Sequence, residues 1–470
     1  MSDYGGAMEF DRVEKEIWQK MERRGLRAGA IGLFLRMVRQ AKEDESAYVP
    51  LDSVSPPDSK LILNTPPDAV EVAELEARGR ELLSQAVMIK LNGGRSTTMG
   101  GDVPKGTLIA KDGRSYLEII AGQVKAFDTK WNVNVPLVLM DSFFTHEPTL
   151  EVTSRFDIPV RTFVQNQVPR LVENSFQPLE TGSDDDWVPP GHGDVYASLS
   201  SSGLLDRLIA EGRRIAFISN LDNLAASLEP WILGLIERER IDFLMEVTDR
   251  TEVDRKGGTL IVRDDHLDLL EIAQVAAEER DRFMDINQFR VFNTNNMWVD
   301  LEALSSAINR QALKLPIIQN RKTVDGVSIV QLETAMGAAI GSFPGARGLR
   351  VGRERFFPTK KVEDLFLLQS DACVLDSMDR LQRNPRRPPD LSLRPMVIFS
   401  PDFLDSPIKM HLRFEDPSTV SLVRAVSFEV RGAVFFEREV KIEGEVVVEG
   451  SGGEILRIGR GTVLADGKYP

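Results

Sequence analysis

The residues able to do chemistry fall into a few short stretches. Residues 89–106 read IKLNGGRSTTMGGDVPKG. Gly93, Gly94, Gly100 and Gly101 let backbone N–H groups approach a ligand, and Lys105 can neutralise a phosphate. An ordinary strand-to-helix turn with a surface lysine has the same composition. The spacing fits neither a P-loop, which closes on Gly-Lys-Ser/Thr, nor a Gly-x-Gly-x-x-Gly fingerprint. FVQNQVPR carries Gln165, Gln167 and Arg170. A glutamine amide donates and accepts, which suits a pyrimidine edge and equally a solvated loop. PPGHGDVY sets His192 between glycines, where it can reach a phosphate or a sugar. SNLDNL places Asp222 near Asn220. One carboxylate with phosphate oxygens suits Mg²⁺; an Asx-type turn or helix cap is the other reading. Gly257 and Gly258, then Glu271, precede FNTNNMWVD with Asn293, Asn295 and Asn296. Clustered amides and a carboxylate suit the hydroxyls of a sugar. Lys360 and Lys361 follow a proline, and read either as phosphate ligands or as surface lysines.

These groups need elements to hold them. Residues 8–44 are charged with a helical apolar stripe at Ile31, Leu33, Phe34 and Met37. LDSVSPPDSKLILNTPPD has four prolines and reads as a connector. From about residue 72 helices alternate with short continuous apolar strands. EVAELEARGRELLSQ is amphipathic, AVMIKL is a buried strand, and VPLVLMDS is another that ends at Asp141 and Ser142. SSGLLDRLIAEGRRIAFISNLDNL is a helix, a terminating Gly212 and a strand. Such alternation predicts a mostly parallel sheet with helices on both faces, and ligands beyond the carboxyl ends of its strands. After about residue 400 the period changes. Phe428, Val434, Val440 and Val446 recur every six residues, as do Val430, Phe436, Ile442 and Val448. A six-residue rung predicts a β-helix; an antiparallel meander gives the same spacing by alternation.

Composition narrows the class. The chain has 470 residues, 42% of them hydrophobic, enough for two or three domains and a large core. A net charge of −14 argues against a nucleic-acid partner. The one cysteine, Cys373, has no partner for an intramolecular disulfide. The N-terminal stretch lacks the basic and apolar regions of a secretory signal, and no stretch is apolar enough to span a membrane. A cytoplasmic protein without a membrane partner is expected.

Taken together, KLNGG, VPLVLMDSFFTH, PPGHGDVY, SGLLDRLIAEG, SNLDNL, MEVTD, KGGTLI, LLEIAQV, FNTNNMWV and QLETAMGAAI resemble, in order, the eukaryotic-type UTP–glucose-1-phosphate uridylyltransferases (UDP-glucose pyrophosphorylases). The resemblance runs from about residue 50 to the C-terminus. It implies an α/β fold: a Rossmann-like nucleotidyltransferase domain with a mixed, mostly parallel sheet over residues 72–395, after an N-terminal helical segment and connector over 1–71. A C-terminal left-handed β-helix would occupy 396–470, apart from the catalytic sheet and available for homo-oligomer formation. A chain ended near residue 395 would then keep a folded nucleotide-binding core.

The implied reaction converts UTP and glucose 1-phosphate to UDP-glucose and pyrophosphate, with Mg²⁺. The same chemistry on another sugar 1-phosphate, or a non-catalytic sugar-nucleotide binder, are the alternatives. By resemblance Leu91, Gly93 and Gly94 contact the nucleotide, Gln165 and Gly191 the base, and Asn220 and Asp222 the ribose, phosphate and metal. His192, Gly258, Glu271, Asn293 and Asn295 contact the sugar phosphate, while Lys105 and Lys360 bind phosphates. The catalytic set is therefore Lys105, Lys360 and Asp222, with Asp222 as metal ligand. The Gly-rich loop departs from the family: Arg95 and Ser96 stand where Leu-Gly is usual, and GDVPKG where CKGPKS is usual. Asp102 thus replaces a family lysine, while Lys105 is kept.

Overall fold

In the computed structural model the described residues are 3–43, 48–66, 68–101, 103–324, 326–450 and 453–470. Eight strands form the central sheet: β1 (Ile62–Asn64), β2 (Ala86–Asn92), β3 (Leu137–Asp141), β4 (Val160–Val164), β5 (Ile215–Asn220), β6 (Phe243–Asp249), β7 (Val291–Asp300) and β8 (Arg347–Arg350). Their spatial order is β1-β8-β6-β7-β5-β2-β3-β4. All neighbours run parallel except β7, which is antiparallel to both β5 and β6. The continuous apolar runs are explained by burial on both faces: every residue of β2 and of β3 is buried.

Helices cover the sheet as expected. The helix Ala69–Glu81 is started by Asp68, whose carboxylate accepts the Glu71 N–H at 2.7 Å. It crosses the helix Pro230–Glu239 at a point where a Cβ on Gly79 would lie 1.7 Å from the Pro230 carbonyl oxygen. The helix Leu204–Ala210 ends as read, with Gly212 at φ +79°. The proline-rich connector is more than a tether, because β1 lies within it and pairs with β8 along the sheet edge. The N-terminal segment is split into helices Asp3–Arg23 and Ala28–Glu43; the stripe lies on the second, where Ile31, Phe34 and Met37 are buried in one cluster with Val330 and Leu332.

Beyond residue 396 the strands pair in parallel, the two longest being Ser421–Gly432 and Lys441–Gly450. Phe428 pairs with Val446, and Val430 with Val448. A parallel ladder excludes the antiparallel meander, and all eight residues of the six-residue repeat are buried. This part shares its core with the sheet domain. Phe366, on the helix Val362–Gln369, stacks on Phe414 at 4.6 Å and lies 5.2 Å from Phe399 between ring centroids. No helix among the described residues is long and apolar enough to cross a membrane.

Candidate active site

Parallel pairing brings four strand ends together. Register matches Asn220 with Leu91 between β5 and β2, Asn92 with Asp141 between β2 and β3, and Asp141 with Val164 between β3 and β4. The segments leaving these ends line a cavity of about 320 Å³. Leu91, Gly93, Gly94, Lys105, Gln165, Gly191, His192, Asn220, Asp222 and Lys360 all border it. The structure thus collects ten of the residues singled out from the sequence.

Its charged end is built on Asp222. Lys105 Nζ and Lys360 Nζ each lie 2.9 Å from the same oxygen, Asp222 Oδ2. Lys105 also donates to the Thr359 carbonyl at 3.0 Å. Burial opposes the charge on Asp222, but Lys360 and Lys105 outweigh it and hold the carboxyl below its ordinary range. Asp222 Oδ1 is buried and has no hydrogen-bond partner among the described residues. No group of three or more His, Cys, Asp or Glu side chains among those residues could hold a metal ion. A cation here would depend on Asp222 and on ligand oxygens.

The other end, at Gln165, Gly191 and His192, is tightly packed. A Cβ on Gly93 would lie 2.3 Å from Gln165 Nε2, so glycine is what lets the amide lie across the loop. Gln165 is buried, and its N–H donates to the Asp141 carbonyl at 2.8 Å. Its neighbour Asn166 is tied through its N–H and side-chain amide to Asp194, at 2.7 and 2.8 Å. Gly191 adopts φ +83°, and a Cβ there would strike the backbone of Thr334. His192 accepts the Met336 N–H on Nδ1 at 3.0 Å. Desolvation, then the charge of Lys360, lowers its pKa to about 4, so the ring is neutral with its proton on Nε2.

Glu271, Gly258, Asn293 and Asn295 form a separate group and do not line this cavity. A Cβ on Gly258 would lie 2.4 Å from Glu271 Oε1, and the Asn293 N–H donates to the Gly258 carbonyl at 2.9 Å. The register of β6 on β7 shifts between Glu246 and Val247. Asn295 bulges there with φ +57°, and its Oδ1 accepts from Asn293 Nδ2 at 3.1 Å. Burial raises the Glu271 carboxyl to about 7, against the pull of Arg250. Residues 336 and 337 join the two groups: Met336 bonds His192, and a Cβ on Gly337 would lie 3.1 Å from the Asn293 amide. Asn296 faces the core, donating to Glu246 Oε2 at 3.1 Å, so its role is structural.

In the altered loop, Arg95 stacks over the Phe144 ring at 4.2 Å. Ser96 is buried, and its Oγ accepts the Val103 N–H at 3.3 Å. Asp102 lies outside the described residues. Reading the sequence missed Asn92, Gln331 and Glu333, which also line the cavity. It also missed Lys90, fully buried below the loop, which donates to Ser219 Oγ at 2.7 Å and to the Ala226 carbonyl at 2.9 Å. Burial, then repulsion from Arg355, lowers its pKa to about 7. An isolated lysine in the apolar run of β2 was the available signal.

Residues 31–443 match the family model described as UTP–glucose-1-phosphate uridylyltransferase. A protein of that name from Solanum tuberosum is 39% identical over 444 residues, covering 92% of this chain and 91% of its own. A UDP-glucose phosphorylase structure from Trypanosoma brucei is 34% identical with a TM-score of 0.83, over 97% of this chain and 99% of that one. A mutant of UDP-glucose pyrophosphorylase from Leishmania major, in complex with UDP-glucose, is 31% identical with a TM-score of 0.83, over 97% and 98%.

Proposed function

The chain belongs to the UTP–glucose-1-phosphate uridylyltransferase family, and from that premise we propose how its cavity makes UDP-glucose and pyrophosphate from UTP and glucose 1-phosphate. The observation that carries the proposal is the pair of ammonium groups on one carboxylate oxygen, at 2.9 Å each, in the cavity that also holds Gln165 and His192. Two anionic substrates must meet, and charge must build up on a leaving pyrophosphate. A phosphate oxygen of glucose 1-phosphate is already an anionic nucleophile. It attacks the α-phosphorus of UTP in line; the new P–O bond forms as the bond to pyrophosphate breaks. No general base is required, so positioning and electrostatic stabilisation carry the rate.

Lys105 is assigned to the UTP phosphates, and Lys360 to the attacking phosphate and α-phosphoryl group. Gln165 and Gly191 hold the uracil, while Leu91, Gly93, Gly94 and Asn220 hold the remainder of the nucleotide. The neutral His192 donates from Nε2 to the sugar phosphate. Glu271, Asn293 and Asn295, with Gly258 leaving room for the carboxylate, take the hexose hydroxyls. Asp222 Oδ1, buried and without a hydrogen-bond partner among the described residues, fits magnesium, an ion that takes one or two carboxylates and several phosphate oxygens. Bound there, Mg²⁺ would offset phosphate charge. The parallel ladders after residue 396 support a left-handed β-helix. Its strand Val463–Tyr469 lies at the edge of its sheet with no further strand beside it among the described residues, and that edge is assigned to pairing with a second copy of the chain. The reading is tested by pyrophosphate release over a panel of nucleoside triphosphates and sugar 1-phosphates. Turnover should require UTP with glucose 1-phosphate; turnover only with another sugar 1-phosphate would overturn the hexose assignment.

A further inference from the structure

The strand Val327–Thr334 delivers two side chains to the cavity whose chemistry the assignments above leave unused. Alternation puts Val330 and Leu332 into the apolar cluster beneath the N-terminal helices, and Gln331 and Glu333 on the opposite face, toward the cavity. Gln331 is 5% exposed, yet its Oε1 has no hydrogen-bond partner among the described residues. An amide oxygen buried without a partner costs the fold free energy, unless something that binds there repays it. Glu333 lies beside it, half-buried, and Lys322 acts on its carboxylate electrostatically. A carboxylate can only accept. Both groups therefore ask for a donor.

Their place in the cavity says which part of a ligand they meet. A Cβ on Gly191 would lie 3.0 Å from the Cβ of Glu333, so the two residues are in contact. The lysines that take phosphate gather at Asp222. A negative side chain would repel phosphate, so Glu333 suits the neutral end of a nucleotide.

We propose that Gln331 and Glu333 form an acceptor edge that recognises the hydrogen-bond donors of the nucleoside, making them specificity-determining residues of this site. Two sources of donor exist on uridine: the N3–H of the base and the ribose hydroxyls. Cytosine has an acceptor at N3 and carries its donor at N4 instead, so an edge aligned on the uracil N3–H selects UTP over CTP. A ribose-facing edge selects ribonucleotides and is indifferent to the base.

The inference rests on the uridylyltransferase reading. Wild-type pyrophosphate release from UTP and glucose 1-phosphate tests that reading alone, so its failure is distinguishable from failure of the variants. Gln331→Met keeps the shape and removes the acceptor. Its kcat/KM should be compared with wild type for UTP, CTP and 2′,3′-dideoxy-UTP. For UTP the expected loss is about 10- to 100-fold, carried by KM, as for a buried polar contact removed. The loss should shrink to under about 3-fold on CTP if the partner is N3–H, or on the dideoxy analogue if it is the hydroxyls, by the logic of a double-mutant cycle. Glu333→Met, which removes the second acceptor, should give the same pattern and carries the test if Gln331→Met does not fold. Equal losses on all three nucleotides, or no loss on UTP, overturn the proposal.

Discussion

Glu271→Gln should stabilise the protein at high pH while weakening its hold on the sugar. Burial raises the Glu271 carboxyl from 4.5 to about 7, and Arg250 offsets only part of that. The folded state thus prefers the protonated acid. Glu271 contributes most stability below its unfolded pKa, and that contribution is lost as pH rises through about 7. The gap between 4.5 and about 7, at ~1.4 kcal/mol per pH unit, gives ~3 kcal/mol; partial exposure of the side chain trims this to roughly 2 kcal/mol. Glutamine has nearly the same shape and no charge at any pH. The variant should therefore match wild type near pH 5 and exceed it by roughly 2 kcal/mol near pH 8. Urea unfolding of both proteins at the two pH values reads the difference directly. In parallel, the wild-type KM for glucose 1-phosphate should fall as pH rises through about 7 and the carboxylate forms. In the variant it should be higher and flat with pH. An equal stability gap at both pH values would refute the reasoning, because the burial cost would then not depend on ionisation.

Four further outcomes follow from the same geometry. Lys360→Ala should lower kcat by ~10²-fold or more, as when an electrostatic stabiliser is lost, and Lys361→Ala far less; equal mild effects would sink the assignment. Asp222→Asn should cut activity and raise the magnesium requirement, whereas an unchanged magnesium titration would leave Asp222 as an anchor for two lysines. Gln165→Ala should reduce the preference for UTP over CTP by about 1–3 kcal/mol, in line with amide–base pairing; an intact ratio means the uracil is read elsewhere. A chain ended at residue 395 strips Phe399, Phe414 and Phe428 from Phe366 and should unfold at markedly lower urea than the full chain, while a chain lacking only 463–470 should keep UTP binding by calorimetry and change its size by light scattering if the edge strand joins subunits.

Local patterns were legible where one neighbour in sequence decides the outcome. The apolar runs AVMIKL and IAFIS became β2 and β5 because both faces of each are covered. Gly212 ends its helix, and the six-residue repeat gives parallel rungs with every repeat residue buried. The proline-rich connector hid a strand, since β1 is three residues long and exists by pairing with β8. The asparagine cluster read as one unit, yet a bulge at residues 293–296 turns Asn296 to Glu246 and leaves Asn293 bonded to Asn295. The change of texture near residue 400 marks a change of architecture, but aromatic packing crosses it: Phe366 meets Phe399, Phe414 and Phe428.

By itself the sequence determined the kinds of chemistry available, the strands that carry them, and the family they resemble. Those depend on residue type and on periods of two, six or 3.6, which are properties of the chain. Only the tertiary structure decided that Lys105 and Lys360 share one oxygen of Asp222, that His192 is neutral, that Glu271 is poised near pH 7, and that Gln331 Oε1 is buried with no partner among the described residues. Each of these depends on the distance between groups far apart in the chain and on how much water lies between them, and packing alone sets both.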